Sequence, residues 1–107
     1  MTTTPNQALG AILTSNTTLY SAFVGSVTRA MLVSLDLTNT TSNDITVDVW
    51  WESADGLTVR YFGKSISVPA GGAASYRGIV TLSNVSEKIR ALASLAGVQA
   101  VGTVMES

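Results

Sequence analysis

Apolar residues recur at every second position along most of the chain, which is the period of a strand with one buried and one solvated face. From Arg29 to Thr38 the odd positions are Met31, Val33, Leu35 and Leu37, while the even ones include Ser34, Asp36 and Thr38. From Asp44 to Glu52 the same parity holds, with Ile45, Val47, Val49 and Trp51 on one side. Asp44, Thr46, Asp48 and Glu52 take the other side, and Trp50 is the exception among them. Between the two runs lies Asn39-Thr40-Thr41-Ser42-Asn43, a set of turn formers without an apolar residue. The pattern predicts a strand, a turn and a second strand. Asp55-Gly56 predicts the next hairpin, followed by a strand over Leu57 to Phe62 with Leu57, Val59 and Tyr61 on one face. A short segment from Ser65 to Val68 ends in Pro69-Ala70-Gly71-Gly72, where proline brings no ladder donor and glycine tolerates positive φ. Ala74 to Leu82 resumes the alternation with Tyr76, Val80 and Leu82, and a last strand covers roughly Val98 to Met105. Thr18 to Val24 reads as one further strand.

Two segments stay open on pattern alone. Ile89, Leu92, Ala93 and Ala96 have helical spacing, with Ser86 in the place of an N-cap and Gly97 beyond the end. The same stretch read as a strand places Ile89, Ala91, Ala93 and Leu95 on one face. Ala8 to Leu13 is also undecided. About seven or eight short strands with turn signals every ten residues or so predict an all-β fold, a single β-sandwich or jelly-roll-like domain of antiparallel strands. The expected division is an N-terminal arm over residues 1–16 and a β-sandwich domain over 17–107.

Composition narrows the function. The 107 residues suffice for one domain and a small core. Hydrophobic residues make up 46% and charged residues only 12%, about half the usual share of charge. With a net charge of −1, little repulsion keeps copies apart, which suits a protein packed against neighbours. The chain has no cysteine and no histidine, so the thiolate nucleophile, the commonest general base and the commonest metal ligands are missing. No segment approaches the roughly 18 apolar residues of a bilayer span, and the first residues lack the features of a signal peptide. Synthesis in a cytosol is expected. The six basic residues are scattered singly, so neither nucleic acid nor membrane is expected as a partner.

Candidate chemistry is sparse. Asp44, Asp48 and Glu52 share one strand face, but glycoside hydrolysis needs two carboxylates converging across a cleft. Neighbours along one strand do not converge, and they read as a solvated face. Asn39 to Asp44 offers one carboxylate among hydroxyls and amides, too poor a set for calcium. No metal, cofactor or catalytic residue is expected. Asn-x-Ser/Thr triplets at Asn16, Asn39 and Asn84 fall in predicted turns. Adjacent Trp50 and Trp51 must face opposite sides of a strand; parity sends Trp51 to the core and leaves Trp50 outward. Tyr61 and Phe62 repeat the arrangement on the next strand. If the two strands pair across Asp55-Gly56, Trp50 and Phe62 form an outward aromatic patch fit for a partner protein or a sugar ring. The other reading has a sheet or loop of the same domain covering Trp50. In the arm, Leu9 and Ile12 are apolar residues suited to strapping onto a neighbour.

The order of segments resembles a group of small bacteriophage virion proteins of about a hundred residues. The matching residues are Thr18-Leu19-Tyr20, Leu35-Asp36-Leu37-Thr38-Asn39-Thr40, Ile45-Thr46-Val47-Asp48-Val49, Val68-Pro69-Ala70-Gly71 and Ile89-Arg90-Ala91-Leu92-Ala93-Ser94-Leu95-Ala96-Gly97-Val98. The resemblance favours the strand reading of residues 86–96. It implies a β-sandwich accessory protein of the particle, decorating the capsid or attached to neck or tail. The expected partners are other copies of the chain, as a trimer for instance, and larger virion proteins. A carbohydrate-binding module is the alternative. The sequence departs from the group at Phe23-Val24-Gly25-Ser26, where a Pro-Ala-Gly turn is usual.

Overall fold

The structure is a computed structural model that describes residues 4–22 and 27–107. Eight strands run through the described residues: β1 Thr4–Ile12, β2 Thr17–Ser21, β3 Ala30–Asn39, β4 Ile45–Glu52, β5 Val59–Val68, β6 Ala73–Leu82, β7 Lys88–Ala93 and β8 Val98–Glu106. They form two four-stranded antiparallel sheets, sheet A in the order β1-β8-β3-β6 and sheet B in the order β2-β7-β4-β5. Successive strands mostly alternate between the sheets, and the first strand lies beside the last. That order is a jelly roll.

The alternation read from the sequence is what fills the space between the sheets. Leu32, Leu35, Leu37 and Val104 from sheet A meet Ile45, Val47, Val49 and Ile89 from sheet B in one core cluster. Residues 88–93 form a strand, and Ile89, Ala91 and Ala93 are its buried side. Thr4–Ile12, expected within an arm, pairs along its whole length with β8 of the same chain. Ile12 is 1% exposed in the chain's own core, so it is not free to strap a neighbour. The side chain of Leu9, the arm's residues 1–3 and the departure at 23–26 lie outside the described residues.

Parity fails at one place in β3. Leu32 faces Val104 while Ser34 faces Thr103, so Val33 is an extra residue, a β-bulge. Every side chain before it changes face. Ala30 and Leu32 are therefore fully buried, whereas Met31 and Val33, expected in the core, are half-buried and stand outside the cluster.

Polar groups lock the ends. Asn39 is 1% exposed; its Nδ2 donates to Asn43 O at 2.7 Å and Val68 O at 3.0 Å. Its Oδ1 accepts from the Thr41 N–H at 2.9 Å and the Thr41 hydroxyl at 2.7 Å. The turn of candidate calcium ligands is thus held by a single buried amide, which also removes Asn39 as an exposed glycan acceptor. Across the sheets, the Tyr20 hydroxyl donates to Glu106, whose carboxylate also accepts from Asn6 Nδ2 at 3.3 Å. Burial foremost, and then the bond to Glu106, pushes the Tyr20 pKa well above its ordinary value.

Candidate interaction surfaces

The outer face of sheet B holds the aromatic residues singled out in the sequence, in a different arrangement. Trp50 does lie on the side opposite the core, but it is only 4% exposed. The row across the sheet at this level is Thr18, Arg90, Trp50 and Tyr61. Tyr61 covers the indole, ring centroids 5.5 Å apart and tilted by 53°. Lys64 Nζ sits 4.4 Å from the Tyr61 ring centroid on the way to an ion pair with Asp48 at 3.2 Å. Glu52 accepts from Trp50 Nε1 at 3.3 Å and pairs with Arg90 at 3.1 Å.

The expected Trp50–Phe62 patch is therefore not formed. Trp50 pairs directly with Tyr61, and Val49 pairs with Gly63, which leaves Phe62 bulged out of the ladder. Phe62 packs against the core and meets Tyr76 of β6, centroids 4.9 Å apart. It closes the gap between the sheets at the β5 and β6 edges. A second irregularity follows at Lys64–Ser65, where Ser65 has φ 53° and its N–H donates to Asp48 Oδ1 at 2.7 Å. Gly63 is required between them, because a Cβ there would stand 2.7 Å from Val49 Cγ2. Among the proposed contact residues whose side chains are described, Tyr61 is the one that is exposed, at 52%.

The carboxylates of this sheet are engaged as well. Asp44 accepts from the Ala70 N–H, Asp48 holds Lys64 and Ser65, and Glu52 holds Arg90 and Trp50. A depression of about 350 Å³ at one end is lined by Trp51, Ser53, Ala54, Asp55, Asn84 and Glu87. Glu87 accepts from Asn84 Nδ2 at 2.8 Å, the Ser83 N–H at 2.9 Å and Trp51 Nε1 at 3.2 Å. Burial pushes the Glu87 pKa up, but these bonds outweigh it and hold the carboxyl below its ordinary value. Such a group is a built-in acceptor for its own loop, not a free acid. Among the described residues no group of three or more Asp, Glu, His or Cys is placed to hold a metal ion.

Sequence reasoning passed over the outer face of sheet A. Its rows are Met105, Met31 and Thr81; then Gln7, Thr103, Ser34 and Arg77; then Val101, Asp36 and Ser75; then Ala11, Gln99, Thr38 and Ala73. Ile79 and Val101 are 69% and 53% exposed. Asp36 and Arg77 are its only charges among the described residues, and they pair with each other at 3.1 Å. The signal was present in the sequence: the outward positions of β6 and β8 carry a single charge between them.

With that geometry in place, comparison adds a likeness of fold. No family model matches the chain, and no curated protein does. Among solved structures, a chain of the infectious bursal disease virus Gx strain superposes with a TM-score of 0.63 at 14% identity, covering 98% of this chain. The VP2 subviral particle of the same virus gives 0.58 at 15% identity. In both, the present chain spans 32% of the other chain's length. A Bacillus endospore appendage, one of a family of disulfide-linked pili, gives 0.57 at 15% identity, covering 98% of this chain and 85% of that one. At such identities the likeness shows the fold alone.

Proposed function

We propose that the chain is a non-enzymatic structural subunit of a bacteriophage virion, most specifically a decoration protein on the capsid, made in the host bacterial cytoplasm. The observation that carries this reading is the state of the polar groups. Each carboxylate on the sheet B strands is engaged within the chain, while one whole sheet face is nearly free of charge. A jelly roll arranged in that way works through its surfaces, by repeated weak contacts that add by multivalency. The likeness to subunits of a viral particle and of a pilus supports the reading. A neck or tail accessory role is the same reading at another place on the particle.

The carbohydrate-binding alternative has less support, because the indole that would stack on a sugar lies under Tyr61. Light scattering across a dilution series tests the proposal. A stable oligomer, trimer or otherwise, is the expected result. A monomer at every concentration overturns it and turns attention to glycan binding at Tyr61.

A further inference from the structure

The two outer faces differ in a way that bears on how copies meet. The outer face of sheet B carries Asp48, Glu52, Lys64 and Arg90 and covers its tryptophan. That is a face adapted to water. The outer face of sheet A has one acid and one base, bonded to each other, among Met31, Val33, Ile79, Val101, Met105 and uncharged polar residues. The strand edges are poorer candidates for self-association. Register shifts interrupt the pairing of β2, β5 and β6, and bulged edges resist adding a strand. On β1, Pro5 has no N–H, and the Gln7 N–H is already bonded to its neighbour's Asn6 Oδ1 at 2.8 Å.

We infer that the outer face of sheet A packs against the same face of a second copy of the chain, about a twofold axis. The inference rests on the proposed self-association and says where it happens. Four strands at about 4.8 Å spacing and nine or ten residues at about 3.3 Å give a footprint of roughly 570–630 Å² before side-chain relief. That is of the size of one partner's share, about 800 Å², in a standard interface. The face is self-complementary in charge. A twofold axis can set Asp36 of each copy against Arg77 of the other, with no net charge to repel, and an isologous contact of this kind closes on itself.

The test uses three outward positions whose change leaves the core untouched, Val101→Lys, Asp36→Lys and Arg77→Glu, with Thr46→Lys on sheet B as the control. The self-association constant is read by sedimentation equilibrium, and circular dichroism verifies that each variant is folded. Wild type and the control are expected to associate equally. Each sheet A variant should associate at least tenfold more weakly. An equimolar mixture of Asp36→Lys with Arg77→Glu should recover a heterodimer, because the doubly positive face then meets the doubly negative one. If Val101→Lys associates as tightly as wild type, or the mixture gains nothing, the sheet A contact is refuted while self-association stands. If wild type itself never associates, it is the proposed function that fails.

Discussion

Asn39 offers a sharp test of how the fold is held, because one side chain closes a turn, a strand end and a loop at once. Asn39→Ala removes four hydrogen bonds in a residue that is 1% exposed. The largest loss is at Val68, itself 0% exposed, whose carbonyl would be left without this partner. A stranded buried acceptor costs about 1–3 kcal/mol. Asn43 is exposed and Thr41 half-buried, so water replaces much of what they lose, about 1 kcal/mol in all. The expected destabilisation is about 3 kcal/mol, or a fall in Tm of about 12–20 °C for a domain of this size. Urea unfolding should show a lower midpoint with an unchanged slope. Asn39→Asp sharpens the test. It keeps the acceptor for Thr41 but points a carboxylate at two carbonyl oxygens, so it should be at least as damaging at neutral pH. The folded state then raises that carboxyl's pKa, so the variant should regain stability as pH falls and the carboxyl becomes a donor. A loss below 1 kcal/mol for the alanine variant, or a tolerated aspartate at pH 7, would refute the reasoning.

Two further outcomes follow from the same contacts. Glu87 has a folded pKa below its ordinary value, so its contribution to stability is present above about pH 4.3 and is lost as pH falls through the folded pKa; urea midpoints should show an acid limb that Glu87→Gln flattens. Tyr61→Ala should leave the fold intact, costing about 0.5–1.5 kcal/mol for the aromatic pair, but should uncover Trp50. In a Trp51→Phe background, Trp50 emission should move to the red and become open to iodide quenching; an unmoved spectrum would show that Tyr61 is not its cover.

The sequence made most of the strands legible because they carry a local signal. By contrast β1, expected within an arm, β7, open between helix and strand, and the unbroken run of β5 from Val59 to Val68 depend on pairing with distant strands. Alternation from Ile45 to Val49, the Asn39–Asn43 turn and Pro69-Ala70-Gly71-Gly72 are decided by neighbours in the chain. The faces of Met31 and Val33 were not legible, because the bulge that moves them exists only in relation to Val104 and Thr103 on β8. The surface of Trp50 was misread for a similar reason. Parity assigned its face correctly, but exposure on that face depends on which residue of β5 stands opposite. One bulged residue, Phe62, puts Tyr61 there in its place.

Those irregularities have a common physical effect that bears on assembly. Each bulge turns an apolar residue that strict alternation would have placed elsewhere. On β5, Phe62 is turned into the gap beside Tyr76, and sheet B keeps a charged outer face over a covered indole. On β3, the bulge turns Met31 and Val33 away from the core, beside Met105, on a face whose charges cancel. The core gains little by the exchange, because it trades Met31 and Val33 for Leu32 and Ala30, both 0% exposed, and a large side chain contributes about 1.5–3 kcal/mol on either side of that trade. Nor is solubility served by placing Met31 and Val33 on the outer face. The β3 bulge thus sets which side chains stand on the outer face of sheet A, and a variant that restores regular pairing with β8 tests its part in assembly. Deleting Val33 would leave Leu32 inward and Met31 outward, because Leu32 and Ser34 already stand opposite Val104 and Thr103 on successive places of β8, and it would take Val33 alone from the outer face. A deletion variant that remains folded yet no longer associates would tie the bulge to assembly, and one that associates like wild type would break that tie.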